Sequence, residues 1–182
     1  MIEFLKGEKI CLRPFLKKDL SEDYLRWIND RENDCYTEHA QFPHSLEQLK
    51  KYAENKWADP SSLWLAIIDL SNDKHVGNIE ICDIDTIHGV CEYKILLDKS
   101  VHGKGFAKEA SLLLLDHVFN VLNLYRVNLG VHQDNEAAIS LYKKLGFVEE
   151  GRKREAFLRD GERKDLIVMG LLANDYKKAR KD

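Results

Sequence analysis

Neither sign of charge dominates the chain: 28 Lys and Arg stand against 31 Asp and Glu, a formal net charge of −3 over 182 residues. A dedicated nucleic-acid binder usually carries a basic excess, so this balance argues against one, and any anionic ligand must be held by local features. Long apolar runs are missing too. Leu63–Ile68 and Leu112–Leu115 are the longest, far below the roughly 20 residues of a membrane helix. The opening, MIEFLKGEKI, mixes acids and bases where a signal peptide would be basic and then apolar. Only three prolines occur, and none marks a linker. Four cysteines (Cys11, Cys35, Cys82, Cys91) show no CxxC spacing. They read as reduced thiols of a cytoplasmic protein, with Cys11, Cys82 and Cys91 as small buried hydrophobes in strand-like runs. Seven histidines lack HExxH and paired Cys/His spacing, so no metal site is indicated. GxSxG and GxxxxGK[ST] are absent, as is any aromatic–basic stripe for single strands.

What is present is ordinary for a folded domain: 44% hydrophobic and 32% charged residues. The length matches one domain over 1–182. Ile10–Arg13 reads as a strand, Asp19–Asn29 as a helix, and 31–43 as a loop or broken helix. Ser45 and Gln48 form a capping box for a second helix. Strands follow at Leu63–Leu70, Val76–Ile84 and, after a His88-Gly89 turn, Val90–Leu97. A helix runs from about Ala107 to Leu122, a strand over Tyr125–Val131 and a helix over Asn135–Leu145. Phe147–Phe157 and Arg163–Leu171 close the chain as strands, with Asp160-Gly161 a type I′ hairpin signal. The order predicts an α/β (α+β) fold: a mixed, mostly antiparallel sheet of about seven strands flanked by about four helices.

Two segments carry chemistry. Ser100-Val-His-Gly-Lys-Gly-Phe-Ala107 joins a strand to a helix. Gly103 and Gly105 allow a sharp turn and close ligand approach, the free N–H groups of the helix start suit phosphate oxygens, and Lys104 adds a point charge. Lys108 occupies the third glycine position of a dinucleotide fingerprint, which disfavours that reading. A plain strand-to-helix turn fits the spacing equally well. Further on, Asn135 is an N-cap and Gly146 the stop of a Schellman motif. Asn135 and Tyr142 lie close to two turns apart on one face, with the Tyr142 side chain leaning back toward Asn135. Simple capping by Asn135 and simple packing by Tyr142 are the competing readings.

Together these segments resemble a known family. His102-Gly-Lys-Gly-Phe-Ala107 resembles the acetyl-CoA pyrophosphate loop of the GNAT superfamily of N-acetyltransferases, [QR]xxGx[GA], with His102 departing from Gln or Arg. Asn135-Glu-Ala-Ala-Ile-Ser-Leu-Tyr-Lys-Lys-Leu-Gly-Phe147 looks like that superfamily's NxxAxxxYxxxGF, with every fixed position present. The RimJ/RimL-type branch, which includes the spermidine acetyltransferases, is similar also over Phe119–Arg126 and the C-terminal hairpin. The resemblance implies a GNAT fold with acetyl-CoA as cosubstrate. It implies that Ile95, Leu96 and Leu97 offer main-chain groups to the pantetheine arm. His102, Gly103, Lys104, Gly105, Phe106, Ala107 and Lys108 would hold the pyrophosphate. Asn135 would bind the pantetheine or phosphate region, and Tyr142 would sit at the sulfur.

Acetyl transfer to an amine needs a proton acceptor, because a primary ammonium has a pKa of about 10.4. It also needs a donor for the carbonyl oxygen, a proton for the leaving thiolate and correct positioning. Tyr142 suits the thiolate as general acid, and a main-chain N–H near Leu97 suits the carbonyl. Glu92 is the first choice of base, with Glu80 the alternative. The irregular segment 29–44 carries Asp30, Glu32, Asp34, Tyr36, Glu38 and His39. Of these Glu32 and Glu38, with Glu80, are the candidates for holding a cationic amine; a solvated loop is the competing reading. The expected acceptor is a small-molecule primary amine, either a polyamine or a nucleotide-linked amino sugar (Trp27-Ile-Asn-Asp30 is loosely similar to enzymes of the latter kind). An N-terminal amine of a ribosomal protein is a further alternative, and a CoA-binding regulatory module without turnover is the rival from another class. No nucleic-acid or membrane partner is expected, and a homo-oligomer is left open.

Overall fold

The computed structural model describes residues 3–32, 36 and 41–180. Eight strands form one sheet in the order β1-β2-β3-β4-β5-β6-β8-β7. They are β1 (Leu5–Lys6), β2 (Ile10–Pro14), β3 (Leu63–Asp69), β4 (Lys74–Asp85), β5 (Val90–Leu97), β6 (Arg126–His132), β7 (Val148–Arg159) and β8 (Glu162–Leu172). Among the described residues five α-helices flank it: α1 (Glu22–Asn29), α2 (Leu46–Ala58), α3 (Phe106–Asn120), α4 (Glu136–Leu145) and α5 (Ala173–Ala179). The expected α/β architecture is observed with one strand and one helix more, β1 and α5. Every pairing is antiparallel except that of β5 with β6.

Period-two alternation puts one set of side chains on each face of the sheet. Ile79, Ile81, Cys91, Tyr93, Val127, Leu129 and Val131 join Phe106, Leu114, Val118, Tyr142 and Tyr176 in the larger core, under α3, α4 and α5. Ala66 and Ile68 join Tyr24, Trp27, Ile28, Leu49 and Ala53 in the smaller core, under α1 and α2. The two layers leave β5 and β6 buried centrally, with α3 and α4 on the same side.

Local rules account for the element ends. Ser45 Oγ accepts from the Gln48 N–H at 3.2 Å while Gln48 Oε1 accepts from the Ser45 N–H at 2.7 Å, the expected capping box. The first helix differs from expectation. The Asp19 carboxylate is taken by Arg13 at 2.6 and 2.7 Å and by the Leu16 N–H at 2.8 Å, so it caps nothing downstream. Ser21 caps α1 instead, accepting from the Tyr24 N–H at 3.2 Å. At the far hairpin both turn residues have positive φ, 49° at Asp160 and 84° at Gly161, as a type I′ turn requires. Gly146 (φ 98°) ends α4 with two bonds, its own N–H to the Lys143 carbonyl at 3.1 Å and the Phe147 N–H to the Tyr142 carbonyl at 2.9 Å. That is the Schellman pattern expected from the sequence. Cys11, Cys82 and Cys91 are free and buried; Cys35 lies outside the described residues. Among the described residues no helix is long and apolar enough to cross a membrane.

Candidate active site

The site begins where the sheet comes apart. β5 and β6 pair only through Val90, Cys91 and Glu92 with Arg126, Val127 and Asn128. Beyond that point β5 continues to Leu97 bonded to β4, and β6 continues to His132 bonded to β8. The facing edges of residues 93–97 and 129–132 therefore diverge with unpaired main-chain groups between them. Ile95, Leu96 and Leu97 line one wall of this wedge.

At the mouth of the wedge the chain turns into α3. Gly103 and Gly105 have φ of 77° and 85°, a region that only glycine enters without strain. A Cβ placed on either would meet no protein atom within 4 Å, so the space above both is open. Gly105 caps α3 with no side-chain bond. The N–H groups of Gly103, Gly105, Phe106, Ala107 and Lys108 consequently have no acceptor among the described residues. Five free amides at the positive end of a 15-residue helix make an anion cradle, and its donors are the right chemistry for a diphosphate. His102 and Lys104 are exposed beside it.

α4 supplies the inner end. The Asn135 side-chain oxygen Oδ1 caps the helix, accepting from the Ala138 N–H at 3.1 Å, which leaves the side-chain Nδ2–H groups for a ligand. Tyr142 is 8% exposed, and its hydroxyl has no hydrogen-bond partner among the described residues. Burial pushes the phenol up to about 12, so it stays protonated at neutral pH. Its ring packs on Tyr93 and Phe147, at 5.9 and 5.8 Å between centroids. Tyr93 is in turn fixed to α3: its hydroxyl lies 2.6 Å from Ser111 Oγ, which donates to the Ala107 carbonyl at 2.6 Å. Strand, cradle helix and Tyr142 are thus one packed unit.

The carboxylates lie on the opposite face. Glu92, at the last paired position, is half-exposed with its carboxylate 3.8 Å from Lys94 Nζ. Glu80 is buried and held by Lys56 of α2 at 3.1 Å. Glu32 is exposed and pairs with Lys99 at 3.3 Å, beside Asp30 at 2.7 Å. Glu38, with Asp34 and His39, lies outside the described residues. Each described carboxylate of the expected acceptor set therefore already has a lysine against it.

One residue of this face escaped the sequence reading. His132 ends β6, alternating with Val131 onto the carboxylate face, and its side chain is wholly buried between Tyr36 and Phe157, 5.2 and 4.8 Å between centroids. Its Nδ1 accepts from the Asp134 N–H at 3.2 Å, which assigns the proton to Nε2, and Nε2 has no partner among the described residues. Burial lowers its pKa and keeps it neutral. The only signal in the sequence is its place at the end of an alternating strand, three residues before Asn135.

Comparison with known proteins supplies the family. Residues 9–148 match the model of the acetyltransferase (GNAT) domain. The chain belongs to the GNAT family. It is an N-acetyltransferase, and the amide cradle fits acetyl-CoA as its cosubstrate. It is 29% identical over 172 residues to spermidine N(1)-acetyltransferase of Escherichia coli strain K12, covering 93% of this chain and 89% of that protein. It is 30% identical over 154 residues to the Vibrio cholerae spermidine N(1)-acetyltransferase, covering 84% and 89%. The crystal structure of the Vibrio cholerae spermidine N-acetyltransferase with CoA and spermine superposes with a TM-score of 0.84 at 29% identity, covering 93% of this chain and 98% of that one.

Proposed function

We propose that this GNAT enzyme acetylates a primary amine of a polyamine, with both substrates bound together in a ternary complex. The observation that carries this reading is the splayed β5–β6 wedge, with free amides at its mouth and the Tyr142 phenol toward its vertex. The relatives named for spermidine supply the acceptor class. The amides of Gly103 and of residues 105–108, with His102 and Lys104 beside them, hold the diphosphate of acetyl-CoA. Ile95, Leu96 and Leu97 bind the pantetheine arm along their open strand edge, and the free amide N–H of Asn135 meets its far side. This holds the thioester near Tyr142.

The residues then act on protons and charge. A main-chain N–H near Leu97 donates to the carbonyl oxygen as negative charge develops there. Glu92, directly or through water, takes the proton that the ammonium must lose. Tyr142 gives its proton to the departing sulfur, and burial keeps that proton in place until it is needed. Glu80, Glu32 and Glu38 supply negative charge around the acceptor, a role for which Glu80 and Glu32 must share their lysines. The free thiols at Cys11, Cys82 and Cys91 support operation in a reducing, cytoplasmic compartment.

The test is thiol release from acetyl-CoA across an amine panel of spermidine, spermine, a nucleotide-linked amino sugar and a peptide with a ribosomal-protein N-terminus. Turnover with the polyamines and little with the others is the expected result. Preference for the amino sugar or the peptide overturns the acceptor assignment. Acetyl-CoA binding with no turnover on any amine makes the protein a cofactor-binding module.

A further inference from the structure

The cradle is not free-standing. The tight turn between β1 and β2, residues 7–9, is docked on it. Glu109, in the first turn of α3, reaches across and accepts the Lys9 main-chain N–H at 2.9 Å. Gly7 makes this approach feasible: a Cβ there would lie 2.1 Å from Glu109 Oε1. Lys9 also extends its side chain over the loop, placing Nζ 3.5 Å from the Lys104 carbonyl oxygen. In a trans peptide the C=O and N–H point in opposite directions. Drawing the Lys104 carbonyl toward Lys9 therefore turns the Gly105 N–H the other way, away from Lys9.

The same contact resolves an electrostatic conflict. A carboxylate in the first turn of a helix favours the helix itself but repels a diphosphate bound at that end. In this chain the Glu109 carboxylate accepts the Lys9 N–H, so part of its negative charge is taken up by the turn.

We propose that Glu109, seated on the 7–9 turn, is a positioning residue that presets the amide cradle for the diphosphate. The inference rests on the cradle assignment above. Glu109 itself touches neither substrate.

The experiment compares acetyl-CoA with S-acetyl-pantetheine, a thioester that lacks the diphosphate, in steady-state assays with one amine. In the unaltered enzyme, KM is expected to be much lower for acetyl-CoA. Glu109→Ala is expected to raise KM for acetyl-CoA about tenfold with kcat within twofold, and to leave kcat/KM for S-acetyl-pantetheine unchanged. Glu109→Gln keeps an accepting oxygen and restores most of the loss. Gly7→Ala is a second variant that removes no bonding group. It pushes only the flexible end of Glu109 off the turn and is expected to give the same split. An unchanged or lowered KM for acetyl-CoA in Glu109→Ala and Gly7→Ala overturns the proposal, as does an equal loss with both thioesters. If the unaltered enzyme does not distinguish the two thioesters, the cradle assignment itself fails and takes this inference with it.

Discussion

The rings of Tyr142 and Tyr93 meet edge to face, 5.9 Å between centroids and 84° between planes. This contact fixes the Tyr142 ring against β5, because Tyr93 is itself tied to α3 through Ser111. Tyr142→Phe keeps the ring contacts and removes only the hydroxyl that carries the proton. General acids contribute about 10²–10⁴ in rate. We expect kcat to fall by about 10² or more while the calorimetric Kd for CoA stays within twofold. With its pKa pushed up to about 12, the phenol also contributes no alkaline limb between pH 7 and 10. An unchanged kcat would falsify the acid role.

Tyr93→Phe tests the tie itself. The hydroxyl of Ser111 keeps its bond to the Ala107 carbonyl, so no buried group is orphaned. The expected loss is that of one hydrogen bond, about 1 kcal/mol. For a chain of this size that is about 2–4 °C in Tm. A larger rate loss than stability loss, read by kcat against thermal melting, identifies the tie as part of the catalytic alignment.

The parts legible in the sequence were those written in local chemistry. Ser45 and Gln48 announce a cap, Asp160-Gly161 a turn, and Asn135 with Gly146 both ends of α4. Each is decided within a few residues of itself. β1 was missed because two residues carry no period, and its existence depends on pairing with Leu12 and Cys11. Leu122 fits the apolar side of a continued helix, yet α3 stops at Asn120 and Leu122 is 39% exposed. The parting of β5 and β6 was not legible in the sequence, because it is a matter of register between distant strands. The same holds for Glu80: its candidacy came from its type and strand, and nothing nearby in sequence points to Lys56. His132 became visible as an orphaned donor only once its neighbours Tyr36 and Phe157 were in place.

Gly105→Ala separates backbone strain from ligand approach. A side chain at φ 85° costs about 1–2 kcal/mol. Gly161→Ala imposes the same strain at φ 84°, on the tip of the β7–β8 hairpin, outside the 103–108 loop. Both substitutions are expected to lower stability to denaturant alike. Only Gly105→Ala should weaken CoA binding, by tenfold or more, since its new methyl stands in the open space over the amides. Equal CoA affinity in the two variants would remove the cradle from residues 103–108.

Glu80 and Lys56 form a largely desolvated pair, 8% and 15% exposed at their side chains. Removing one partner strands the other charge, which typically costs about 3–5 kcal/mol for a fully buried pair. Lys56→Met should therefore destabilise the protein by somewhat less, about 2–3 kcal/mol given the residual exposure of Lys56. The double variant Lys56→Met/Glu80→Leu should recover most of that loss, measured by urea unfolding. It also decides between bases. If the double variant turns over amine at near the original rate, Glu80 is structural and Glu92 keeps the assignment. A rate collapse in a stable double variant moves the base to Glu80.

The acid side of the stability profile should carry the mark of His75. Its ring lies in the smaller core, 5.0 Å from Trp27, and Nε2 is 2.8 Å from the Asn78 side-chain oxygen. Burial holds its pKa below the ordinary value, outweighing the Asn78 bond and Asp19, which act upward; Arg13 acts downward with burial. The unfolded chain takes up this proton near pH 6.5, while the native state refuses it until a lower pH. Stability contributed by neutral His75 is therefore fully present above about pH 6.5 and is lost as pH falls toward the folded-state pKa. The unfolding free energy should decline between pH 7.5 and 5.5 with a slope of up to about 1.4 kcal/mol per pH unit for this one proton. Urea midpoints across that range measure it. His75→Gln, which retains a donor toward Asn78 and cannot titrate, should reduce the slope, leaving the part due to the other imidazoles that burial holds low, His117 and His132; an identical slope in the variant would assign the acid sensitivity to those groups alone.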